Sequence, residues 1–325
     1  MRVKRALLTA TVVLPLACAH LLPAAAQDYP DKPIKILVPA APGGPTDMPA
    51  RLASQILPSR LGQPVVVENR PGAAGSLATR AVAAATPDGY TLLAGNTSVL
   101  AVYPAVSANA GYDPKTFAAI AKISESYQIL VVHPSSPWTS VKEFLDHARA
   151  NPGKINYAHT GPGGLPHLTA ELLRARTGVD IAGVPYKSGG EAVTAVLGKQ
   201  VDATFESVTI LLPLIREGKL RALAITSATR TPLAPDLPTM MEAGVPDYEV
   251  TTFNGIVAPP GTPAPIVKAL NAALNDGLKT PEIRESILKL GAVNQVDTPE
   301  QFAAFISRQN DKWRTVAKVA QIKID

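Results

Sequence analysis

Cysteine is almost absent from this sequence. Its single copy, Cys18, lies in an apolar stretch near the N-terminus. Beyond that stretch neither a disulfide framework nor a thiol nucleophile can be built. Excess charge is also small. The formal net charge is +5, and no basic block interrupts the chain, which argues against nucleic acid as a partner. After the N-terminal stretch no apolar run is long enough for a membrane helix. The five histidines are scattered, without metal-ligand spacing. The glycine–any–serine–any–glycine elbow and the paired-histidine zinc-protease helix are both missing. An exported hydrolase is therefore disfavoured, and no cofactor or metal is expected.

What is present begins with a leader. Arg2, Lys4 and Arg5 precede an apolar run from Ala6 to Leu16, and Ala24, Ala25 and Ala26 precede Gln27. This is the pattern of a secretory signal peptide over residues 1–26, cleaved after Ala26. Loss of the three cations with the leader lowers the net charge from +5 to +2. A lipoprotein processed at Cys18 is the competing reading; Leu16 and Ala17 suit it, whereas Pro15 sits where leucine is preferred. The remaining chain, about 300 residues long and part of a sequence that is 46% hydrophobic, is enough for two domains.

Strand-like Ile34 to Val38 runs into Pro39, Pro42, Gly43, Gly44 and Pro45. Thr46 and Asp47 then open a helix that reaches Leu61. Either residue can cap the first turn, and Pro49 is tolerated there. A strand that turns on glycines into a helix N-terminus presents free N–H groups to an anion. Strands over Val65 to Val67 and Tyr90 to Ala94 continue a β–α–β–α–β rhythm, which predicts a parallel sheet with helices on its faces. Ligands of such sheets bind beyond the strands' carboxyl ends, where Gly43, Asn96 and Thr97 lie.

The rhythm restarts near Ile123. Strands are predicted at 129–132, 155–158, 181–186, 201–205 and 220–226. The 155–158 strand ends in His159-Thr160-Gly161-Pro162-Gly163-Gly164, ahead of a second helix start. This is a second α/β unit. Val250 to Val257 forms a further strand. Helices beginning at Thr262-Pro263, Thr280-Pro281 and Thr298-Pro299 then return to the first unit; Thr298 and Gln301 have capping-box spacing.

Many of these runs, in this order, are familiar. YPDKPIKILVPAAPGGPTDMPAR (29–51), ENRPGAAGS (68–76), PDGYTLL (87–93), HTGPGGLPHL (159–168), VPYKSGGEAV (184–193), GKLRALAITSATR (218–230), LPTMMEAG (237–244) and APPGTPAPIV (258–267) resemble the tripartite tricarboxylate transporter substrate-binding proteins, the Bug or TctC family. The resemblance covers essentially all of the chain after the leader. It implies a periplasmic binding protein fold, in which two α/β lobes flank a ligand cleft and are joined by two crossover strands. The lobes would be 27–125 plus 250–325, and 126–249, with crossovers near 124–128 and 249–253. The implied ligand is a small carboxylate, held by backbone amides and water from two loops, Pro42 to Asp47 and Thr160 to Gly164. The implied partners are the large and small membrane subunits of a transporter, with the protein in the periplasm and monomeric. A ligand-loaded partner of a sensor is the alternative output, which neighbouring genes would distinguish. The sequence departs from the family pattern at Pro162, at Glu206, where aspartate is common, and at Phe253, where tryptophan is frequent.

The candidate ligand-binding residues are Pro42, Gly43, Gly44, Thr46, Asp47, Asn96, Thr97, Thr160, Gly161, Gly163, Gly164, His167, Glu206 and Phe253. Glycines let the backbone approach a carboxylate closely. Asp47 can cap its helix as well as face a ligand. His167 can donate to a carboxylate or pack the helix start. Glu206 suits a ligand amino or hydroxyl group, or a surface or hinge position. Phe253 can flank a ring or pack in the core.

Overall fold

The structure, a computed structural model, describes residues 29–107 and 109–322. The leader, its cleavage point and Cys18 lie outside the described residues. The first elements follow the expected rhythm: β1 (Ile34–Val38), α1 (Asp47–Leu61), β2 (Val65–Asn69), α2 (Ser76–Ala83) and β3 (Thr91–Asn96). A π-helical turn over Ser98–Val102 leads into the short α3 (Tyr103–Val106). Next comes β4 (Ala118–Val132), much longer than the four residues expected at its end. The second unit runs through α4 (Val141–Ala150), β5 (Asn156–His159), α5 (Leu165–Thr177), β6 (Ala182–Pro185), α6 (Gly189–Leu197), β7 (Ala203–Ser207), α7 (Val208–Arg216) and β8 (Arg221–Ile225). The chain ends with β9 (Thr251–Ala258), α8 (Ala264–Leu278), α9 (Pro281–Lys289) and α10 (Pro299–Val319).

The sheet order is β2-β1-β3-β9-β4-β7-β5-β6, with β8 also on β4. β1 pairs in parallel with β2 and β3, as the β–α–β rhythm requires; β9 is antiparallel to β3 and β4. Residues 118–127 of β4 pair with β9, whereas 128–132 pair with β7 and, over 129–132, with β8. One strand thus belongs to two sheet halves. The chain crosses between them within β4 and returns where Val250 leads into β9.

Side-chain parity sorts the strands into cores. Ile34, Ile36 and Val38 of β1 pack with α1 and α8, whereas Leu37 joins the core on the other face. That second core spans both halves. It carries Leu37 and Leu93 from one half and Tyr157 and Leu172 from the other, with Phe302, Phe305 and Trp313 of α10 among them. The helices expected to return to the first unit do so, and α10 also touches α5.

The helix caps divide. Ser140 accepts from Glu143 N–H, and Thr298 with Gln301 makes the full capping box. Thr46, in contrast, makes no side-chain cap. Asp47 accepts from the N–H of Gly43 behind it instead of capping its own turn. Thr262 bonds the carbonyl of Pro259, and Thr280 caps nothing.

Candidate functional site

The first glycine loop is folded around Asp47. Gly43 turns with φ 79°, a conformation glycine adopts without strain. Its N–H donates to Asp47 Oδ2 at 2.8 Å; Arg51 Nε donates to the same oxygen at 2.7 Å, and Asn69 Nδ2 donates to Oδ1 at 2.8 Å. The Asp47 carboxylate is fully buried. Burial pushes its pKa up, but these donors outweigh burial and hold it below the usual carboxylate range. Asn69 also donates to Ala40 O, so it clamps both ends of the loop. Sequence reasoning gave Asn69 no part beyond its place in the 68–76 run.

The end of β3 braces this loop. Asn96 Nδ2 donates to Thr46 Oγ1 at 2.8 Å, and Val99 N–H donates to Asn96 Oδ1 at 3.0 Å. The buried Thr97 hydroxyl accepts from Phe253 N–H at 2.7 Å. Gly43, Gly44, Thr46, Asp47 and Asn96 therefore belong to one hydrogen-bonded region, whereas Pro42 is only its neighbour in the chain and Thr97 is tied to β9. Phe253 meets Thr97 through its backbone alone. Its ring is buried edge-on to Phe302 and Phe305.

The second loop is closed on itself. Gly161 and Gly163 N–H donate to His159 Nδ1 and His167 Nδ1, and Gly164 N–H donates to Gly161 O at 3.1 Å. Glycine amides expected to face a ligand are thus already paired in this conformation. Thr160 is packed against Gly164, with its Oγ1 2.8 Å from where a Cβ would stand. Glu206 is buried at the end of β7. Its Oε1 accepts from Ser207 N–H at 2.7 Å, and its Oε2 fills the space beside Gly189 that a Cβ would need. Burial pushes its carboxyl pKa up.

Where the halves meet, a cavity of about 480 Å³ opens. Gly43, Gly44, Pro45 and Met48 border it on one side, Ser207, Thr209 and Ile210 on the other. Its floor is Ser124 and Ser126 of β4 with Thr252 and Asn254 of β9. No charged side chain lines it. Of the candidates it collects Gly43 and Gly44; the second loop and Glu206 lie outside its lining. The floor residues were missed, although their period-2 spacing was visible: Ser124 and Ser126 face the cavity, whereas Glu125 between them bonds Thr251. The same parity sends Phe253, between Thr252 and Asn254, to the core. Larger cavities of about 640 and 960 Å³ lie beside Leu212 and Pro104 and include neither glycine loop. Among the described residues no cluster of three or more His, Cys, Asp or Glu is placed to hold a metal, and no helix is long and apolar enough to cross a membrane.

Comparison with known proteins agrees with this architecture. Residues 50–322 match the family model described as the tripartite tricarboxylate transporter family receptor. The solved structure of periplasmic binding protein BugD is 36% identical, with a TM-score of 0.68 over 91% of this chain and 99% of that one. An R. palustris protein solved with adipate is 34% identical, with a TM-score of 0.71 over 91% and 99%. MatC from Rhodopseudomonas palustris, solved with bound malate, is 35% identical, with a TM-score of 0.67 over 89% and 99%. These relatives are solute-binding receptors and not enzymes. The chain belongs to the tripartite tricarboxylate transporter receptor family, the TctC or Bug proteins, and has their periplasmic binding protein fold.

Proposed function

We propose that this protein captures a small organic acid between two lobes, residues 27–125 plus 250–325 and residues 126–249. It works in the periplasm after removal of residues 1–26, as a monomer, and delivers the acid to the large and small membrane subunits of a tripartite tricarboxylate-type transporter. The cavity at the junction of the sheet halves carries this reading. It presents hydroxyl and amide groups and the first turns of α1 and α7, whose helix N-termini favour negative charge by roughly 0.3–1 kcal/mol each. A site without lysine or arginine holds an acid through neutral donors and water and lets it go again, as delivery requires. The relatives solved with adipate and malate support the class of ligand. Met48, Ile210 and Leu290 at the cavity edge are partly exposed, which favours an acid with a hydrocarbon body.

The test is thermal shift of the mature protein against adipate, malate, succinate, citrate, glutamate and benzoate. A ligand at 100 times its Kd adds about 2.7 kcal/mol, a rise of roughly 5 °C. The isosteric Thr209→Val and Thr252→Val should each weaken the best acid about tenfold by removing a hydroxyl donor. Silence towards every acid, persisting after unfolding and refolding to strip a co-purified ligand, would overturn the proposal.

A further inference from the structure

The two histidines beside the second glycine loop act as acceptors. Gly161 N–H donates to His159 Nδ1 at 3.1 Å, and Gly163 N–H donates to His167 Nδ1 at 3.2 Å. The rings stack with centroids 4.6 Å apart and planes at 30°. A ring nitrogen that accepts carries no proton, so this geometry requires both imidazoles to be neutral, with the proton on Nε2. Protonation of Nδ1 would turn each acceptor into a donor aimed at an N–H, and would place two cations in one stack.

The charged and titratable neighbours do not offset this. Glu171 Oε1 stands 3.9 Å from His167 Nε2, but the same carboxylate is bonded to Arg174 at 2.9 Å. On β5, the Tyr157 ring lies 5.6 Å from His159. On β6, His159 meets Gly183, which brings no charge. Pro162 has no N–H, and Gly164 N–H is held by Gly161 O. The histidine pair is therefore what sets the direction of the loop's remaining amides.

We infer that His159 and His167 are paired positioning residues that hold the second glycine loop in shape, and that protonating them releases the loop and weakens ligand binding by the lobe, residues 126–249, that carries it. The release of the loop stands on this geometry alone; the weakening of binding rests on the function proposed above. Burial lowers the pKa of both rings, and each lies below the ordinary histidine value, His167 further disfavoured by His159. Because the folded values are depressed, the contribution is fully present above pH ~6.5 and is lost as pH falls below it. An anion site that used His167 as a cation would behave the other way, binding acids more tightly on acidification.

The experiment is nitrogen-15 NMR of the mature protein from pH 7.5 to 5.0 without ligand, with adipate calorimetry at pH 7.5 and 6.0. At pH 7.5 both rings should show an unprotonated Nδ1 and a protonated Nε2, and the Gly161 and Gly163 amide signals should move as the rings titrate. The double variant His159→Asn with His167→Asn keeps a neutral acceptor near each Nδ1. Its two glycine amides should stay put across the range, and its adipate affinity should be flat. Wild-type affinity should fall by about two- to threefold between pH 7.5 and 6.0, because rings with depressed pKa values are only part protonated at pH 6.0. A protonated Nδ1 at neutral pH, or glycine amides indifferent to ring titration, would overturn the loop assignment. Wild-type affinity that rises on acidification would overturn its link to binding. Adipate binding by neither protein at either pH would count against the proposed function, while the ring and amide signals still decide the loop assignment.

Discussion

Asp47 shows how one side chain shapes a site it does not line. Its carboxylate is buried and takes three donors, from Gly43, Arg51 and Asn69. Asp47→Ala leaves the Gly43 N–H and the Asn69 amide without their carboxylate acceptor and frees Arg51, so it should cost about 1–3 kcal/mol by urea unfolding at pH 7. The Asp47 pKa is depressed, so its contribution is complete above the ordinary carboxylate value near ~3.9 and is lost as pH falls further. The wild-type and variant curves should converge in acid. Asp297 has the opposite sign. Burial raises its pKa to about 6, so its contribution is present in acid and fades as pH rises through about 6. Asp297→Asn should melt roughly 1–3 °C above wild type at pH 7.5 and lose that advantage by pH 4. That Gly43, Gly44 and Asp47 shape one loop after β1 was legible because strand-end chemistry is local. The roles of Asn69 and the floor serines were not, since each depends on a partner brought up by folding.

At the scale of elements, spacing worked where packing was one-sided. The predicted first unit emerged in register because β1 buries Ile34, Ile36 and Val38 on one side and α1 supplies a matching face. β4 was read only at its apolar end, because Lys122, Ser124, Glu125, Ser126 and Gln128 interrupt its hydrophobic run. Those polar groups are used inside the fold: Lys122 pairs with Glu125, and Thr169 Oγ1 donates to Gln128. α7 was missed because Val208 to Ile215 is apolar nearly throughout and contains Pro213, which masks its helical period. Close helix packing gives a sharper test. A Cβ on Gly277 of α8 would stand 2.2 Å from Ile56 Cγ2 on α1, and Ile56 is itself buried. Alanine gains about 1 kcal/mol of helix propensity over glycine, but overpacking costs about 1–3 kcal/mol. Gly277→Ala should therefore destabilise overall, and adding Ile56→Val should recover part of the loss. Urea midpoints of the single and double variants check both statements.

Across the whole molecule, β4 and the segment leading into β9 carry the chain between the sheet halves, and Thr226 is bonded to both. Its N–H donates to Gln128 O and its carbonyl accepts from Val250 N–H, each at 2.9 Å. Its hydroxyl accepts from Gln128 N–H at 3.0 Å and donates to Val250 O at 2.7 Å. One fully buried residue at the end of β8 thereby ties the outgoing crossing in β4 to the returning segment before β9. α10 reinforces the same junction, because Lys312 Nζ donates to Glu249 O at 2.8 Å. Thr226→Val keeps the side-chain shape and both backbone bonds but leaves Gln128 N–H and Val250 O without the hydroxyl. The cost should be about 1–3 kcal/mol, concentrated at the junction rather than spread over either half. Hydrogen exchange of wild type and variant distinguishes these cases. Amides of Gln128 and Val250 should exchange at least about tenfold faster in the variant, whereas those of β1–β3 and of β5 and β6 should keep their rates. Uniform acceleration across both halves would mean that Thr226 supports the fold as a whole and that the halves do not pivot on it.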